Sequence, residues 1–153
     1  MARKLYYLFL LAFVAACDQP PVSEKTEAFP RHEWIASYKP WITLEVSDTA
    51  SLYNLFAVIR HGAAFRYNNL LMNYIYITPG DTAKTIKVNL PLGDNKHWLG
   101  DTLGEIIETR VKVNTKPVKL KSGNNIFVLQ QLMPGNALQH ILNVGVRIEK
   151  VNK

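Results

Sequence analysis

Tyr53-Asn-Leu-Phe-Ala-Val-Ile-Arg60 is apolar at six of its eight positions and contains neither glycine nor proline. Eight residues rich in aromatic and branched side chains make one strand. Near-continuous apolarity places it at the centre of a sheet, buried on both faces. Leu70 to Ile77 reads the same way, and Pro79-Gly80-Asp81 ends it with turn chemistry. Period-two segments surround these two. Trp41 to Val46 sets Ile42, Leu44 and Val46 on one face, and Thr85 to Leu92 turns Ile86, Val88 and Leu90 inward. Ile106 to Val113 alternates Ile107, Thr109, Val111 and Val113 against Glu108, Arg110 and Lys112. Val118 to Leu120 is a short strand, Ser122 to Asn125 a turn, and Ile126 to Leu132 a strand. Val144, Val146 and Ile148 alternate with Gly145, Arg147 and Glu149 in a closing strand. Leu138 to Leu142 is expected to form a single helical turn. With about eight strands and no βαβ spacing, the fold class is all-β. The expected architecture is an antiparallel β-sandwich, with a jelly roll among its topologies.

The N-terminus carries a different signal. Arg3 and Lys4 precede an apolar run from Leu5 to Val14, which is short of the ~20 residues a spanning helix needs but fits the core of an export signal. Val14-Ala15-Ala16-Cys17 follows, with an aliphatic residue, two small residues and a cysteine. This is the pattern of a bacterial lipoprotein signal. Small side chains let the peptidase read extended backbone, and a thiol is required to form the diacylglycerol thioether. The reading makes residues 1–16 a signal peptide and Cys17 the lipid attachment site. Residues 17–28 become an acylated cysteine with a flexible tether, and 29–153 a single β-sandwich domain. An ordinary secretory signal with a coincidental cysteine, or a weak membrane anchor, is the competing reading. Cys17 is the sole cysteine, so an internal disulfide is excluded. Acyl chains at ~0.8 kcal/mol per buried CH₂ anchor a protein firmly in a membrane. Asp18 argues for inner-membrane retention only under a sorting rule of other bacteria, and no dense acidic cluster follows Cys17. The expected location is therefore the outer membrane, facing the periplasm.

Processing at Cys17 leaves 137 of the 153 residues, enough for one core without disulfides or metals. Losing Arg3 and Lys4 leaves sixteen basic residues against twelve acids, a mild positive balance that suits an acidic surface and does not suggest nucleic acid.

Catalytic and metal signatures are sparse. His32, His61, His97 and His140 show no metal-ligand spacing, and no serine sits in a G-x-S-x-G elbow. Asp94, Asp101, Glu105 and Glu108 gather around one loop, as a glycosidase pair or a calcium site would, or as a solvated surface. The aromatics Trp34, Trp41, Trp98, Tyr38, Tyr67, Tyr74 and Tyr76 are candidates for a sugar platform or for core packing. Lys112, Lys116, Lys119 and Lys121 read as a charged sheet edge or a surface for an acidic partner. Asp48-Thr49-Ala50, Asp81-Thr82-Ala83 and Asp101-Thr102-Leu103 match an O-glycosylation triplet of exported Bacteroidetes proteins. Thr49, Thr82 and Thr102 are the candidate acceptors, in loops or turns, with plain Asp-Thr turn chemistry as the alternative.

Several segments together resemble the gliding motility lipoprotein GldH family of Bacteroidetes: Tyr53-Asn-Leu-Phe56 with Ile59-Arg60, Asn68-Asn-Leu70, and Leu90-Pro-Leu92. Trp98-Leu-Gly100 with Gly104-Glu-Ile106, the ending Val144-Gly-Val-Arg-Ile-Glu149, and the Pro30/Trp34 entry continue the resemblance. Residues 109–123 match least. The resemblance implies a non-enzymatic envelope lipoprotein, without cofactor, metal or catalytic residue. Its expected partners are membrane lipid, through Cys17, and other envelope proteins of the gliding and type IX secretion machinery. A carbohydrate-binding lipoprotein of a nutrient-uptake system is the alternative. Locally, Arg60 and Arg147 sit in apolar strands and need polar partners if buried. Gly100, Gly104 and Gly145 suit positive-φ turns or bulges, and Trp98 is expected to pin its loop to the sandwich.

Overall fold

The computed structural model of the chain describes residues 22–151. The signal peptide over 1–16 and the lipid site at Cys17 lie outside the described residues. Twelve strands follow in order: β1 Val22–Ala28, β2 Glu33–Ile35, β3 Trp41–Val46, β4 Leu52–Gly62, β5 Asn69–Ile77, β6 Lys84–Pro91, β7 Asp101–Leu103, β8 Ile106–Lys112, β9 Val118–Lys119, β10 Gly123–Gln131, β11 Ala137–Gln139 and β12 Ile141–Lys150. One sheet has the order β1-β12-β4-β8-β7, with β9 also on β4. A second has the order β3-β10-β5-β6, and β2 pairs with β11 alone. Setting aside the four short strands β2, β7, β9 and β11, eight principal strands remain. Numbered along the chain, they run 1-8-3-6 in one sheet and 2-7-4-5 in the other. That is the jelly-roll order, so the expected sandwich of about eight strands is the observed one.

The core lies between the two sheets. Leu55, Ala57 and Ile59 of β4 and Val144, Val146 and Ile148 of β12 face Leu70, Met72 and Tyr74 of β5 and Phe127 and Leu129 of β10, all buried. β4 is central, between β12 and β8, as its composition requires. Its burial is less symmetric than expected. Val58 is buried on the outer face, but Asn54, Phe56 and Arg60 are half-buried there, because among the described residues no second layer covers that face.

Two further expectations are corrected. The tether does not extend to residue 28. Val22–Ala28 is a strand paired with β12 along its whole length, from Val22 opposite Glu149 to Ala28 opposite Asn143. Its sequence is polar because an edge strand is held by backbone ladder bonds and needs few apolar contacts. The helical turn over 138–142 is also replaced. Leu138 pairs with Trp34 across β11 and β2, and His140 turns the chain at φ 65 into β12. Leu138 and Ile141 do have helical spacing, but both are buried through sheet pairing.

The registers define two ends. Val22, Lys150, Leu52, Lys119 and Lys112 terminate strands at one end of the larger sheet. The 47–51 and 120–122 connections bring Val46 and Gly123 of the smaller sheet to that same end. This is the entry end, where the chain arrives from Cys17. Ala28, Arg60, Asp101 and Ile106 lie toward the far end.

Gly145 shows why β12 accepts β1 so closely. A Cβ there would stand 2.5 Å from Thr26 Cγ2 and 2.6 Å from the Lys25 carbonyl oxygen. Its φ is not positive, so close approach, and not turn geometry, demands glycine. Gly145→Ala is expected to destabilise the fold by about 1–3 kcal/mol. Amide hydrogen exchange should show protection lost first over residues 22–28; unchanged protection there would contradict this account.

Candidate functional site

The outer face of the larger sheet carries a chain of alternating charges across four strands. Arg60 of β4 pairs with Glu108 of β8, and Glu108 also pairs with Arg110. Arg110 Nε donates to Glu24 Oε2 of β1 at 2.9 Å, and Arg147 Nη1 of β12 donates to the same oxygen at 3.3 Å. Arg147 Nε then donates to Glu149 Oε1 at 2.6 Å. Arg110 must cross β4 and β12 to reach β1. Its cross-strand neighbour is Val58, whose own neighbour is Gly145, so the row offers little bulk to obstruct the guanidinium. Burial raises the Glu24 carboxyl, but hydrogen bonds from Arg110 and Arg147 outweigh it and hold the group below its ordinary range. The two arginines in apolar strands, Arg60 and Arg147, thus have the carboxylate partners they need.

Toward the far end this face dips into an open depression of about 440 Å³, lined by Arg60, Asp101, Leu103, Ile106, Glu108 and Leu142 among others. Its rim is the β7–β8 hairpin. Leu103 and Ile106 face each other across the two-residue loop Gly104-Glu105, with Gly104 at φ 63. A first-position glycine at positive φ suits the tight hairpin turn. Leu103 is 83% exposed, and Ile106 and the nearby Leu99 are exposed as well. Leu103 and Ile106, beside an arginine–carboxylate pair, make a surface suited to protein contact.

A buried histidine supports the loop leading to this hairpin. His61 is fully buried, and its ring meets Trp98 edge-on at 4.4 Å and Phe65 at 5.1 Å. Trp98 also bridges to Gly93, and Leu99 N–H donates to Leu92 O at 2.9 Å. Trp98 does pin its loop.

The other sequence candidates are dispersed. His32, His97 and His140 are exposed, whereas His61 is buried. Among the described residues, no group of three His, Cys, Asp or Glu side chains is placed to hold a metal. Asp94 caps its own turn, accepting the N–H groups of Lys96 and His97 at 2.7 Å each. Asp101 lies 3.9 Å from Arg110. Trp34, Tyr74 and Tyr76 are in the core while Trp41 and Tyr38 are exposed, so the aromatics form no common sugar platform. Thr49 and Thr82 are exposed in entry-end connections, whereas Thr102 lies in strand β7 and not in a loop. At Asp48 the turn chemistry is explicit: the Ser51 hydroxyl and the Ser51 and Ala50 N–H groups hold its carboxyl down to about 2. The far-end hairpin was missed at the sequence level. Its signal was the two-residue Gly104-Glu105 loop between apolar neighbours.

A family model described as GldH lipoprotein matches residues 21–148. The chain is 28% identical to the "Gliding motility lipoprotein GldH homolog" of Christiangramia forsetii, over 94% of this chain and 93% of that protein. Among solved structures, the infectious bursal disease virus VP2 subviral particle overlaps it with a TM-score of 0.35 at 13% identity. That alignment covers 93% of this chain and 40% of the viral one.

His61 makes the hairpin's support sensitive to pH. Burial pushes its imidazole below the ordinary value, against a smaller opposing effect from the Gly62 carbonyl. The unfolded chain therefore takes up a proton below about pH 6.5 that the folded chain resists. Stability is full above that pH and declines as pH falls toward the lowered folded value. Melting curves across pH 7.5 to 5 should show a steeper loss for the native chain than for His61→Gln, by up to about 1.4 kcal/mol per pH unit.

Proposed function

The chain belongs to the GldH lipoprotein family, and we propose that it is a non-enzymatic accessory component of the gliding motility and type IX secretion machinery, held in the outer membrane and facing the periplasm through acylated Cys17. The family is one of membrane-anchored envelope lipoproteins. The observation that carries the interaction role is the β7–β8 hairpin with its exposed Leu103 and Ile106. Aliphatic groups of this size in water cost free energy unless a partner covers them. The hairpin stands at the end of the sandwich away from the membrane attachment, where another envelope protein can reach it. Arg60 and Glu108 in the adjoining depression supply polar groups to orient such a partner. The exposed Thr49, Thr82 and Thr102 are the proposed O-glycan acceptors.

In a gliding host, Leu103→Asp combined with Ile106→Asp is expected to abolish gliding and secretion of a reporter cargo. Protein level and membrane fraction should stay normal, since both side chains are already exposed. Normal gliding and secretion in this variant would remove the assigned surface. Cys17→Ser should leave a protein that high salt, without detergent, releases from the membrane fraction.

A further inference from the structure

We infer that the entry end of the sandwich docks on anionic phospholipid headgroups of the membrane that holds the chain. The inference rests on the acylation of Cys17 proposed above, and it accounts for the segment whose sequence resembles the family least. Lys112, Lys116, Lys119 and Lys121 are separated in the sequence, yet the fold gathers them at the end where β1 begins. Lys112 closes β8 opposite Phe56, and Lys119 pairs with Leu52. Lys116 and Lys121 lie in the connections before β9 and before β10.

These connections are held in place. The buried Asn114 accepts the Leu55 N–H at 2.8 Å and donates to the Tyr53 carbonyl at 3.1 Å and the Lys116 carbonyl at 2.9 Å. The buried Asn125 donates to the carbonyls of Lys121 at 2.8 Å and Gly123 at 3.0 Å. Two interior amides thus fix the backbone under two exposed lysines. A charged edge that merely deters strand addition would not need this, and Lys116 and Lys121 are not in strands.

The charge balance at this end is positive. Lys84 and Lys150 are matched by Asp81 and Asp48, and Glu149 by Arg147. Lys121 acts on Asp81 through space. Glu45 on β3 is the remaining carboxylate near this end among the described residues. Among the described residues, Lys112, Lys116 and Lys119 have no carboxylate within ion-pair distance, so their charge is available to a partner.

Geometry identifies that partner. Five Cα steps separate Cys17 from Val22, so the attachment lies at most about 17 Å away. β4 has eleven residues and is about 35 Å long. The lysine end is therefore held beside the headgroups while the hairpin end projects away. Lysines near an anionic bilayer act within roughly 8 Å at physiological ionic strength, and each strengthens association about fivefold.

The test uses the mature chain carrying Cys17→Ser, made without O-glycans, so that neither lipid nor sugar contributes. Sedimentation with phosphatidylglycerol–phosphatidylcholine vesicles should show binding that phosphatidylcholine vesicles lack and that added salt removes. The triple variant Lys116→Gln, Lys119→Gln, Lys121→Gln should weaken it by roughly tenfold or more, with an unchanged melting temperature. Leu103→Asp, at the other end, should bind as the parent does. Equal binding to both vesicle types, or binding insensitive to salt, overturns the inference without any variant. Should vesicle binding hold while mass spectrometry finds Cys17 unacylated, the docking surface stands and the anchor assignment alone fails.

Discussion

The pairing of the first strand with the last is the constraint on which the rest of this structure depends. β12 lies between β1 and β4, so the first and last of the described strands close the larger sheet together. Antiparallel pairing over seven residues of β1 fixes its direction as well as its place. Val22 must then open at the same end where β12 finishes and β4 starts. The end of the sandwich at which Val22 enters follows from that register. A tether continuing to residue 28 would leave the edge of β12 uncovered; a strand from Val22 covers it and fixes where the chain enters the sheet. Gly145 makes the fit possible, because any side chain there meets the β1 backbone.

The charges of the outer face reinforce the same join. Glu24 is shared by Arg110 and Arg147, so β1 is tied to both β8 and β12. Exposed ion pairs contribute little singly, about 0–1 kcal/mol. These side chains are partly shielded and linked in series, which lowers the cost of fixing each one. A strand with few apolar residues gains specificity of register from such contacts, since a one-residue slip would turn Glu24 to the other face.

Much of this was legible from residue patterns. The alternation in β8 and β12 and the apolar run of β4 identify the core strands, because burial on one face or in a sheet centre leaves a direct imprint on side-chain polarity. Arg60 and Arg147 announced a need for partners. The identity of those partners was not readable, since Glu24 and Arg147 stand 123 residues apart and meet only through strand pairing. β1 escaped notice because backbone bonds, not apolar side chains, hold it. β7 escaped because three exposed residues carry no periodicity. The lysines were visible as one basic set, but its place at the entry end depends on β9 pairing with β4 and on the two buried asparagines. The expected helical turn failed for a related reason: Leu138 satisfies a helical spacing, yet its backbone pairs with β2.

The two ends of the sandwich consequently differ in kind. At one end, lysines sit on connections braced by interior amides; at the other, Leu103 and Ile106 flank a tight turn beside an arginine–carboxylate pair. Charge acts over a Debye length and tolerates imprecise geometry, which suits a fluid headgroup layer. Aliphatic contact acts over a few ångströms and needs a fitted surface, which suits a folded partner. Under the proposed acylation of Cys17, acyl chains would set residence in the membrane without fixing the tilt of the domain. A basic end against the headgroups would restrict that tilt and present the hairpin at a defined height. That the two ends are opposite one another follows from one register, the alignment of Val22 with Glu149.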